Sequence, residues 1–368
     1  MLRIAVVGAG GVMQMIHLPS LRALAGVEVV ALADLNRALG ERVARAFGIP
    51  RVYGDVAELL EGEAGALDGV VVVCGKQWHA SACLPCLRAG LPVFTEKPLA
   101  ASLTEGQAMV EAAERSGARL MVGYMKRFDP AVLQAERLIR EGAIGEVRYA
   151  RIHDFGGDYV CGRATVGAVP LVPPAPPAAP APPPSGPPRA AAGPPPVTAA
   201  PSPESEWQRA FDEWIEVWVH DVNLVQGMFG GIQRVRWSDG VRPQTARVRC
   251  GNGAEVLFEV GGPQPGGMPW DEGLEVFGTR GRLRLSFKPP FLLHARTRLC
   301  LERPGGVEEP QCGHAEAFFE EMRYFCRCLE SGEVPRTDGR MGLADLEACA
   351  AIVDAARGDA AHGDAAPR

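Results

Sequence analysis

The stretch VVGAGGVM, residues 6–13, decides the fold predicted for this 368-residue chain. A short apolar run leads into it and a helical pattern follows it, so its glycines lie between a strand and a helix. Gly8 permits a tight turn, and Gly10 lets the backbone approach a pyrophosphate at the helix N-terminus, where free N–H groups attract an anion. Met13 replaces the third glycine of the usual pattern. We predict a dinucleotide-binding loop formed by Gly8, Gly10, Gly11, Val12 and Met13.

Up to about residue 122, short apolar runs alternate with helical patterns, which is typical of βαβ units and a parallel sheet. Runs such as GVVVVC, residues 69–74, are apolar without alternation, as expected where helices cover both faces of a sheet. The pattern predicts an α/β chain whose N-terminal part, residues 1–122, is a Rossmann domain. Predicted strands are Arg3–Val7, Val27–Leu32, Val70–Cys74, Val93–Thr95 and Arg119–Val122, and predicted helices are Met13–Leu24, Ala38–Phe47, His79–Ala89 and Leu103–Ser116.

From Pro130 onwards the pattern changes to segments with β-type alternation, separated by turns that contain glycine or proline. These segments predict a C-terminal α+β domain, residues 123–357, with a mostly antiparallel sheet. A tail of small residues, 358–368, is expected to be disordered. The segments are EVRYARIHDF (146–155), IQRVRWS (232–238), TARVRC (245–250), EVLFEV (255–260), LEVFGT (274–279) and RLRLSF (282–287), with helical patterns at Pro130–Arg140, Ala315–Leu329 and Gly342–Ala356.

The segment Pro170–Pro203 fits neither domain. Sixteen of its 34 residues are proline, and Arg189 is its one charged residue. Such a segment cannot bury enough apolar surface to offset the entropy lost on ordering. We therefore predict an extended or disordered insert, residues 170–203. A tolerated loop insertion is favoured over a docking site for a partner that binds proline-rich peptides.

Composition excludes several classes of protein. The formal net charge of −6 argues against a nucleic-acid partner, which a basic stripe would attract. Ten cysteines are scattered without the density of a disulfide scaffold, and their spacing matches no standard zinc pattern, so no metal site is predicted. No apolar run reaches membrane-spanning length, and MLRIAVVGAGG, residues 1–11, is not typical of a signal peptide. The expected location is the cytoplasm.

An acidic residue follows the second predicted strand, in VVALADLNR, residues 29–37. The carboxylate of Asp34 can accept hydrogen bonds from both ribose hydroxyls of an adenosine and would repel a 2′-phosphate, so NAD is predicted and NADP is less favoured. Asn36 and Arg37 are assigned to the same site, and Arg37 could either pair with a phosphate or lie over the adenine. The alternative for Asp34 is a solvated turn residue or helix cap.

Lysine is rare in this chain, and only Lys76, Lys97, Lys126 and Lys288 occur among 38 basic residues. Lys97 lies in FTEKPLA, residues 94–100, at the end of a predicted strand, where ligands bind in α/β sheets. An ammonium is a compact charge whose pKa shifts on burial, whereas a guanidinium stays protonated. We predict that Lys97 stabilises alkoxide charge while a carbinol is oxidised. The alternative is that biased composition left a lysine here by chance.

The segments TEKPLA, GYMKRFDP (Gly123–Pro130) and HDVNL (His220–Leu224) resemble the glucose–fructose oxidoreductase/inositol dehydrogenase (Gfo/Idh/MocA) family. The resemblance extends from Leu2 to about Arg357, apart from the proline-rich insert. It implies a Rossmann domain and a C-terminal domain with an open sheet. It also implies hydride transfer between NAD(P) and a carbinol or ketone carbon of a sugar, cyclitol or related polyol.

A proton acceptor is also needed, and histidine is the usual choice near neutral pH. His220 is preferred because it follows WQRAFDEWIEVWV, residues 207–219, a helical pattern with aromatic residues on one face. Glu216 lies four residues earlier, where a turn of α-helix would bring the two side chains together. We predict that Glu216, an aspartate in inositol dehydrogenase-like members, orients His220 and raises its pKa. A core histidine and an exposed glutamate are the alternatives.

The resemblance implies further cofactor contacts. Glu96 is assigned to the nicotinamide ribose. His79 matches a family histidine near the cofactor, with helix capping as its alternative. Cys74, Gly75 and Lys76 replace a Thr-Pro turn that passes beside the nicotinamide ring, and Lys76 is expected to reach an anionic substrate or the pyrophosphate.

Three more residues complete the predicted site. Arg127 resembles a family arginine near the cofactor or substrate, and Tyr124 is expected to line the same pocket. His153 is expected either to line the substrate cavity or to face the sheet. The predicted function is an NAD(H)-dependent oxidoreductase acting on a sugar, cyclitol or polyol, as a homo-oligomer (dimer or tetramer). The alternatives are an NAD-assisted glycoside hydrolase of the same family and a catalytically silent dinucleotide-binding protein.

Overall fold

The structure, a computed structural model, describes residues 1–63, 65–156, 172, 203–240, 244–261 and 269–362. Its N-terminal sheet has six parallel strands in the order β3-β2-β1-β4-β5-β6. This is the doubly wound Rossmann arrangement, with a crevice where the strand order reverses between β1 and β4. The strands are β1 Leu2–Val7, β2 Val27–Ala33, β3 Arg51–Tyr53, β4 Gly69–Val72, β5 Val93–Glu96 and β6 Leu120–Gly123.

Helices cover both faces of this sheet, which explains why its central strands are apolar without alternation. Val70, Val71 and Val72 of β4 are each fully buried. The sequence pattern does not predict β3 and the helix after it, because three residues are too few to show alternation. The helices are α1 Leu18–Ala23, α2 Arg37–Phe47, α3 Val56–Gly62, α4 His79–Arg88 and α5 Leu103–Ser116, with a π-helix, Met13–His17, before α1.

The second sheet has eight strands in the order β14-β13-β12-β11-β7-β10-β9-β8. Among the described strands of this second sheet, only the β7–β10 pair is parallel, so the expectation of a mostly antiparallel sheet is confirmed. The strands are β7 Val147–Phe155, β8 Ile232–Ser238, β9 Thr245–Cys250, β10 Glu255–Gly261, β11 Asp271–Gly278, β12 Arg282–Ser286, β13 Arg298–Arg303 and β14 Gly306–Glu308.

The C-terminal end of the chain returns to the Rossmann domain. The backbone N–H of Val122 donates to the carbonyl of Thr337 at 2.8 Å, and the Thr337 hydroxyl donates back to the Val122 carbonyl at 2.8 Å. A Cβ on Gly106 of α5 would lie 3.1 Å from Leu346, so the last helix packs closely against α5. The remaining helices are α6 Pro130–Arg140, α7 Pro203–Glu213, α8 Val219–Phe229, α9 Ala317–Ser331 and α10 Gly339–His362, with a π-helix, Trp214–Trp218, between α7 and α8.

The C-terminal tail and the proline-rich insert are the two segments predicted to be disordered. Helix α10 is described as far as His362, five residues into the tail that was expected to be disordered from residue 358. Alanine, which favours helix, occupies two of the positions in GDAAH that extend it. Residues 363–368 and, apart from Val172 and Pro203, the predicted insert 170–203 lie outside the described residues. No helix in the described ranges is both long and apolar enough to cross a membrane.

Candidate active site

The glycine loop after β1 has the backbone geometry that a dinucleotide requires. Gly8 adopts φ +96°, and a Cβ there would lie 2.1 Å from the carbonyl oxygen of Val73, so another residue would collide with the chain after β4. At Gly10, by contrast, a Cβ would meet no described atom within 4 Å. The loop is therefore closely packed at Gly8 and open at Gly10, which fits a pyrophosphate approaching its N–H groups.

The residues that follow the loop have different surroundings. Gly11 and Val12 are half-buried and lie at the start of the helical segment. The side chain of Met13 is fully buried in the core, so it fills space where a third glycine would leave room and is not available to a cofactor. The helix opens at this residue as a π-helix, whose turns are wider than those of an α-helix.

Asp34 lies at the end of β2 and faces the glycine loop. Its Oδ2 accepts from the backbone N–H of Ala9 at 2.6 Å, and its Oδ1 accepts from the N–H of Asn36 at 2.7 Å. Each carboxylate oxygen can accept a further hydrogen bond, so a ribose still fits. The Asn36 side chain caps α2 by accepting from Leu39 N–H at 3.1 Å, so it is used for capping rather than for binding.

Arg37 is paired with two acidic neighbours. Its Nη1 lies 3.2 Å from Oε2 of Glu58, and its Nε lies 3.9 Å from Oε1 of Glu41. Both pairs are about half exposed and are weak. They nevertheless compensate the charge of Arg37, for which the sequence left a phosphate contact open.

The turn after β4 is held by His79, and the predicted cofactor contact of this residue is not supported. His79 is 1% exposed, its Nδ1 lies 2.7 Å from the carbonyl of Pro98, and its Nε2 lies 3.1 Å from the carbonyl of Cys74. Burial lowers the pKa of His79, so the neutral ring has a single N–H, which the shorter distance assigns to Nδ1. The ring thus joins the ends of β4 and β5. Burial also raises the pKa of the Cys74 thiol to about 11, which leaves it unreactive.

Glu96 and His17 form a pair beneath the predicted catalytic lysine. Oε1 of Glu96 lies 2.8 Å from Nε2 of His17, and Oε2 accepts from the N–H of Lys97 at 3.1 Å. Burial opposes ionisation of Glu96, but the hydrogen bond and charge of His17 outweigh it, so the pKa of Glu96 is lowered. Both carboxylate oxygens are engaged with the protein, and each can accept one further hydrogen bond, so the ribose contact of Glu96 stays a prediction.

Lys97 extends from the end of β5 toward the second π-helix. Its Nζ donates to the backbone carbonyl of Glu216 at 2.6 Å. Burial lowers the pKa of Lys97, although the charges of Glu96 and Glu216 partly oppose this shift. An ammonium with a lowered pKa at the carboxyl end of a parallel strand is the group that the predicted chemistry requires.

The predicted pairing of Glu216 with His220 is wrong. Residues 214–218 form a π-helix that contains Glu216, so the regular α-helical turn assumed between Glu216 and His220 is interrupted. The Glu216 carboxylate is 56% exposed and lies 2.9 Å from Nζ of Lys76. Lys76 also lies 3.2 Å from Oδ1 of Asp212, so its ammonium links the turn after β4 to the helical segment that contains Glu216. It is engaged in these pairs rather than directed at a pyrophosphate.

His220 begins α8 beside Tyr124. The two rings meet edge to face with centroids 6.1 Å apart, and the buried Nδ1 of His220 has no hydrogen-bond partner within the described residues. Burial, together with the positive charges of Lys97 and Lys126, lowers the pKa of His220 well below 6.5. The predicted rise in this pKa is therefore wrong. The imidazole is neutral at pH 7, which is the state a general base needs.

A buried cluster of charges lies behind His220. The ammonium of Lys126 donates to Asp221 Oδ1 at 2.9 Å and to Glu272 Oε1. One oxygen each from Asp154, Asp221 and Glu272 lies within 4.8 Å of the others. Burial opposes the charge of Lys126, but Asp221 and Glu272 outweigh it and raise the pKa of Lys126. Burial, followed by the neighbouring Asp221, raises the pKa of Asp154 to about 7.

The remaining predicted residues, Arg127, Tyr124 and His153, differ in how far they are buried. Arg127 is 4% exposed and packs against α8, where a Cβ on Gly227 would lie 1.8 Å from its Nη1, so a cofactor contact is not supported. Tyr124 is 1% exposed, and burial raises its pKa well above 10.0. Its ring packs against the ring of His220 and supports it. His153 is half-buried on β7, with Nε2 3.1 Å from Oδ1 of Asp271. Of these three residues, His153 alone retains appreciable exposure.

Sequence reasoning missed the roles of His17 and of the Lys126 cluster. The three acids come from β7, α8 and β11, which are far apart in the sequence, so no local spacing brings them together. Asp154 and Asp221 each follow a predicted histidine directly, in RIHDF and HDVNL. The available signals were a lysine, which is a rare residue type in this chain, and two acids that each follow a candidate histidine.

A Rossmann sheet with this glycine loop and acid, joined to an antiparallel-sheet domain, defines a two-domain dinucleotide-binding protein. Residues 2–124 match the model of the Gfo/Idh/MocA family, described as "Oxidoreductase family, NAD-binding Rossmann fold". The match confirms the predicted resemblance over these residues, and the family that they match is NAD-binding.

Similarity to named proteins is confined to part of their length. The chain is 37% identical over 136 residues to D-apiose dehydrogenase of Paraburkholderia graminis, which is 37% of this chain and 36% of that protein. It is 36% identical over 124 residues to scyllo-inositol 2-dehydrogenase (NAD(+)) of Bacillus subtilis, which is 34% of this chain and 36% of that protein. The chain thus matches about a third of the length of these relatives.

Similarity in fold extends further. An oxidoreductase from Agrobacterium radiobacter, solved in complex with NAD+, L-tartaric acid and magnesium, has a TM-score of 0.70 and 20% identity to this chain. The match covers 98% of this chain and 97% of that chain. At this identity the likeness shows a shared fold alone, which includes the C-terminal sheet.

Proposed function

We propose that this protein is an NAD-dependent oxidoreductase that transfers a hydride to or from the carbinol or ketone carbon of a sugar, cyclitol or related polyol. The observation that carries the proposal is the position of Lys97, whose Nζ is bound at 2.6 Å to the Glu216 carbonyl in the helical segment that leads to His220. Lys97 and His220 both have lowered pKa values, and the charge of Lys97 contributes to the shift of His220. Perturbed groups of this kind, close to an open dinucleotide loop, are typical of active sites.

The two side chains divide the chemistry of alcohol oxidation. Bound NAD supplies the hydride acceptor. Neutral His220 accepts the hydroxyl proton, because its lowered pKa keeps it unprotonated at neutral pH. The Lys97 ammonium stabilises the negative charge that develops on the substrate oxygen. In the reverse direction the protonated imidazole returns the proton to the alkoxide.

Buried polar atoms without partners support a polyhydroxylated substrate. Nδ1 of His220, Nε1 of Trp218, Oδ2 of Asp221 and Oδ1 of Asp154 have no hydrogen-bond partner within the described residues. Such atoms are costly when they remain unpaired. Hydroxyl groups both donate and accept, so a polyol could satisfy acids and ring nitrogens alike. The names of the relatives, which include a D-apiose and a scyllo-inositol dehydrogenase, point to the same class.

NAD is proposed over NADP because of the surroundings of Asp34. Its carboxylate faces the glycine loop through Ala9, and a 2′-phosphate there would meet a negative charge. Arg37, the nearest candidate for a phosphate contact, lies near Glu58 and Glu41. In Asp34→Ser the repulsion is removed, so kcat/KM with NADP is expected to rise relative to that with NAD.

The test is a panel of inositols, aldoses, pentoses and keto-sugars with NAD and NADP, followed by NADH absorbance. The proposal expects turnover on at least one polyol and a higher kcat/KM with NAD. A kcat/KM with NADP that equals or exceeds the NAD value would refute the assignment of Asp34. Release of aglycone from a nitrophenyl glycoside without net NADH formation would favour the glycoside hydrolase. NADH binding without turnover on any substrate would favour the silent binding protein.

A further inference from the structure

One residue of the proline-rich segment is fixed to the Rossmann domain. Val172 donates its backbone N–H to Oε1 of Gln14 at 2.8 Å and accepts at its carbonyl from Nε2 of Gln14 at 3.1 Å. Its side chain is 9% exposed and belongs to the same buried cluster as Met13 and Phe94. The side-chain amide of Gln14 thus binds both the backbone N–H and the carbonyl of Val172.

The same glutamine is bound to the glycine loop. Nε2 of Gln14 also donates to the carbonyl of Ala9 at 2.8 Å, and the N–H of Ala9 donates to Oδ2 of Asp34 at 2.6 Å. A continuous series of hydrogen bonds therefore runs from Val172 through Gln14 and Ala9 to the acid assigned to the adenosine ribose. Its members lie in three separate parts of the chain, near residues 9–14, 34 and 172.

Val172 completes the hydrogen bonding of a buried amide. Gln14 is 2% exposed, and its side chain has two N–H donors and one carbonyl oxygen. Ala9 accepts from one donor, and the backbone of Val172 uses the other donor and the oxygen. Without Val172, the Gln14 amide would have to turn to find partners, and the carbonyl of Ala9 would lose its fixed donor.

We propose that Val172 is a positioning residue for the dinucleotide: through Gln14 it fixes the backbone of Ala9, whose carbonyl accepts from Gln14 and whose N–H holds the Asp34 carboxylate in the geometry that binds the adenosine ribose. The inference rests on the proposed function, because it concerns affinity for NAD. It gives one residue of the proline-rich segment, Val172, a role at the cofactor site. Loss of the anchor is expected to weaken NADH binding about five- to tenfold, the factor expected from one or two lost hydrogen bonds.

Two linker variants separate the anchor from the rest of the segment. In one, a Gly/Ser linker replaces residues 176–200 and retains Val172. In the other, the linker replaces residues 170–200. NADH fluorescence titration is expected to give an unchanged Kd in the first variant and a Kd raised about five- to tenfold in the second. Equal Kd values in both, with the wild type binding NADH normally, would overturn the inference and leave the proposed function intact. A wild type that binds no NADH would overturn both.

Point variants test the hydrogen bonds themselves. Gln14→Leu keeps the size of the side chain and removes its polar atoms, whereas Val172→Pro removes the backbone donor. Both are expected to raise the NADH Kd and the KM for NAD while leaving kcat at saturating NAD unchanged. The double variant is expected to bind NADH no more weakly than Gln14→Leu alone, because both changes break the same contact. Melting of the apo-protein is followed in parallel. A lower melting temperature with unchanged NADH affinity would show that the contact serves stability only and would refute the inference.

Discussion

Lys97 and Lys126 are two of only four lysines in the chain, and their environments are opposite. The ammonium of Lys97 donates to an uncharged backbone carbonyl, and burial lowers its pKa. The ammonium of Lys126 lies between the carboxylates of Asp221 and Glu272, whose charges outweigh burial and raise its pKa. The ammonium of Lys97 can thus interact with a substrate, whereas the ammonium of Lys126 is compensated by neighbouring carboxylates.

This difference indicates which lysine serves chemistry and which serves structure. A cation that is to stabilise a developing alkoxide should not already be neutralised by carboxylates, since its field would then be compensated before the reaction begins. Lys97 meets that condition better than Lys126, because its direct acceptor is neutral. Lys126 instead contributes to the low pKa of His220 through its charge while balancing three buried acids.

The largest expected effect is on stability, and it comes from Lys126. Lys126→Met would leave Asp221 and Glu272 buried without their cation, which destabilises proteins by about 3–5 kcal/mol. Urea unfolding measures the change in the free energy of unfolding. Arg340→Met is the matched control, because it breaks an Arg–Glu pair whose arginine side chain is 74% exposed and is expected to cost at most about 1 kcal/mol. Equal losses in the two variants would contradict the structural role of Lys126.

The next largest effect is expected at His220. His220→Ala removes the proposed base and is expected to lower kcat about a hundredfold or more, the usual size of a general-base contribution. Because the pKa of His220 is lowered well below 6.5, the imidazole is neutral throughout the neutral range. The wild-type rate of alcohol oxidation is therefore expected to show no rise between about pH 6.5 and 8. A rising limb in that interval that disappears in His220→Ala would show that the pKa is not lowered.

The fold is more accessible to sequence reasoning than the site. Five of the six parallel strands follow from apolar runs, because the information lies within a few consecutive residues. The glycine loop and Asp34 are local for the same reason. The pairing of Glu216 with His220 failed because it assumed an α-helical turn, and the sequence does not indicate that Trp214–Trp218 forms a π-helix. The Lys126 cluster was missed because its acids come from three elements that only the tertiary fold brings together.

A third prediction tests whether Lys97 acts through its variable pKa or only through its charge. Lys97→Arg keeps a cation, but guanidinium is larger and remains protonated. We expect turnover to fall about ten- to a hundredfold with the NADH Kd unchanged. In the wild type the pKa of Lys97 lies below 10.5, so oxidation should slow at alkaline pH as the ammonium loses its proton. That alkaline decline is expected to vanish in Lys97→Arg. Turnover close to wild type would leave only the compositional explanation for Lys97.

The smallest effect is expected from Glu216, and it separates the backbone of this residue from its side chain. Lys97 is bonded to the Glu216 carbonyl, which Glu216→Gln retains, and the carboxylate that this substitution removes is 56% exposed beside Lys76. We expect kcat to change less than about threefold, as for the loss of an exposed ion pair. The charge of Glu216 raises the pKa of Lys97, so removing it should lower that pKa and move the alkaline decline to lower pH.

Asp212→Asn provides the matched control for this prediction. Asp212 is the other carboxylate that pairs with Lys76, at 3.2 Å, whereas Glu96 and Glu216 are the carboxylates whose charges most affect the pKa of Lys97. The alkaline decline should therefore move in Glu216→Gln and stay in place in Asp212→Asn. A hundredfold loss of turnover in Glu216→Gln would instead mean that its carboxylate turns inward when substrate binds and orients His220 after all. Because the contrast between Lys97 and Lys126 depends on Lys97 having a neutral acceptor, that result would also remove the distinction between the two lysines.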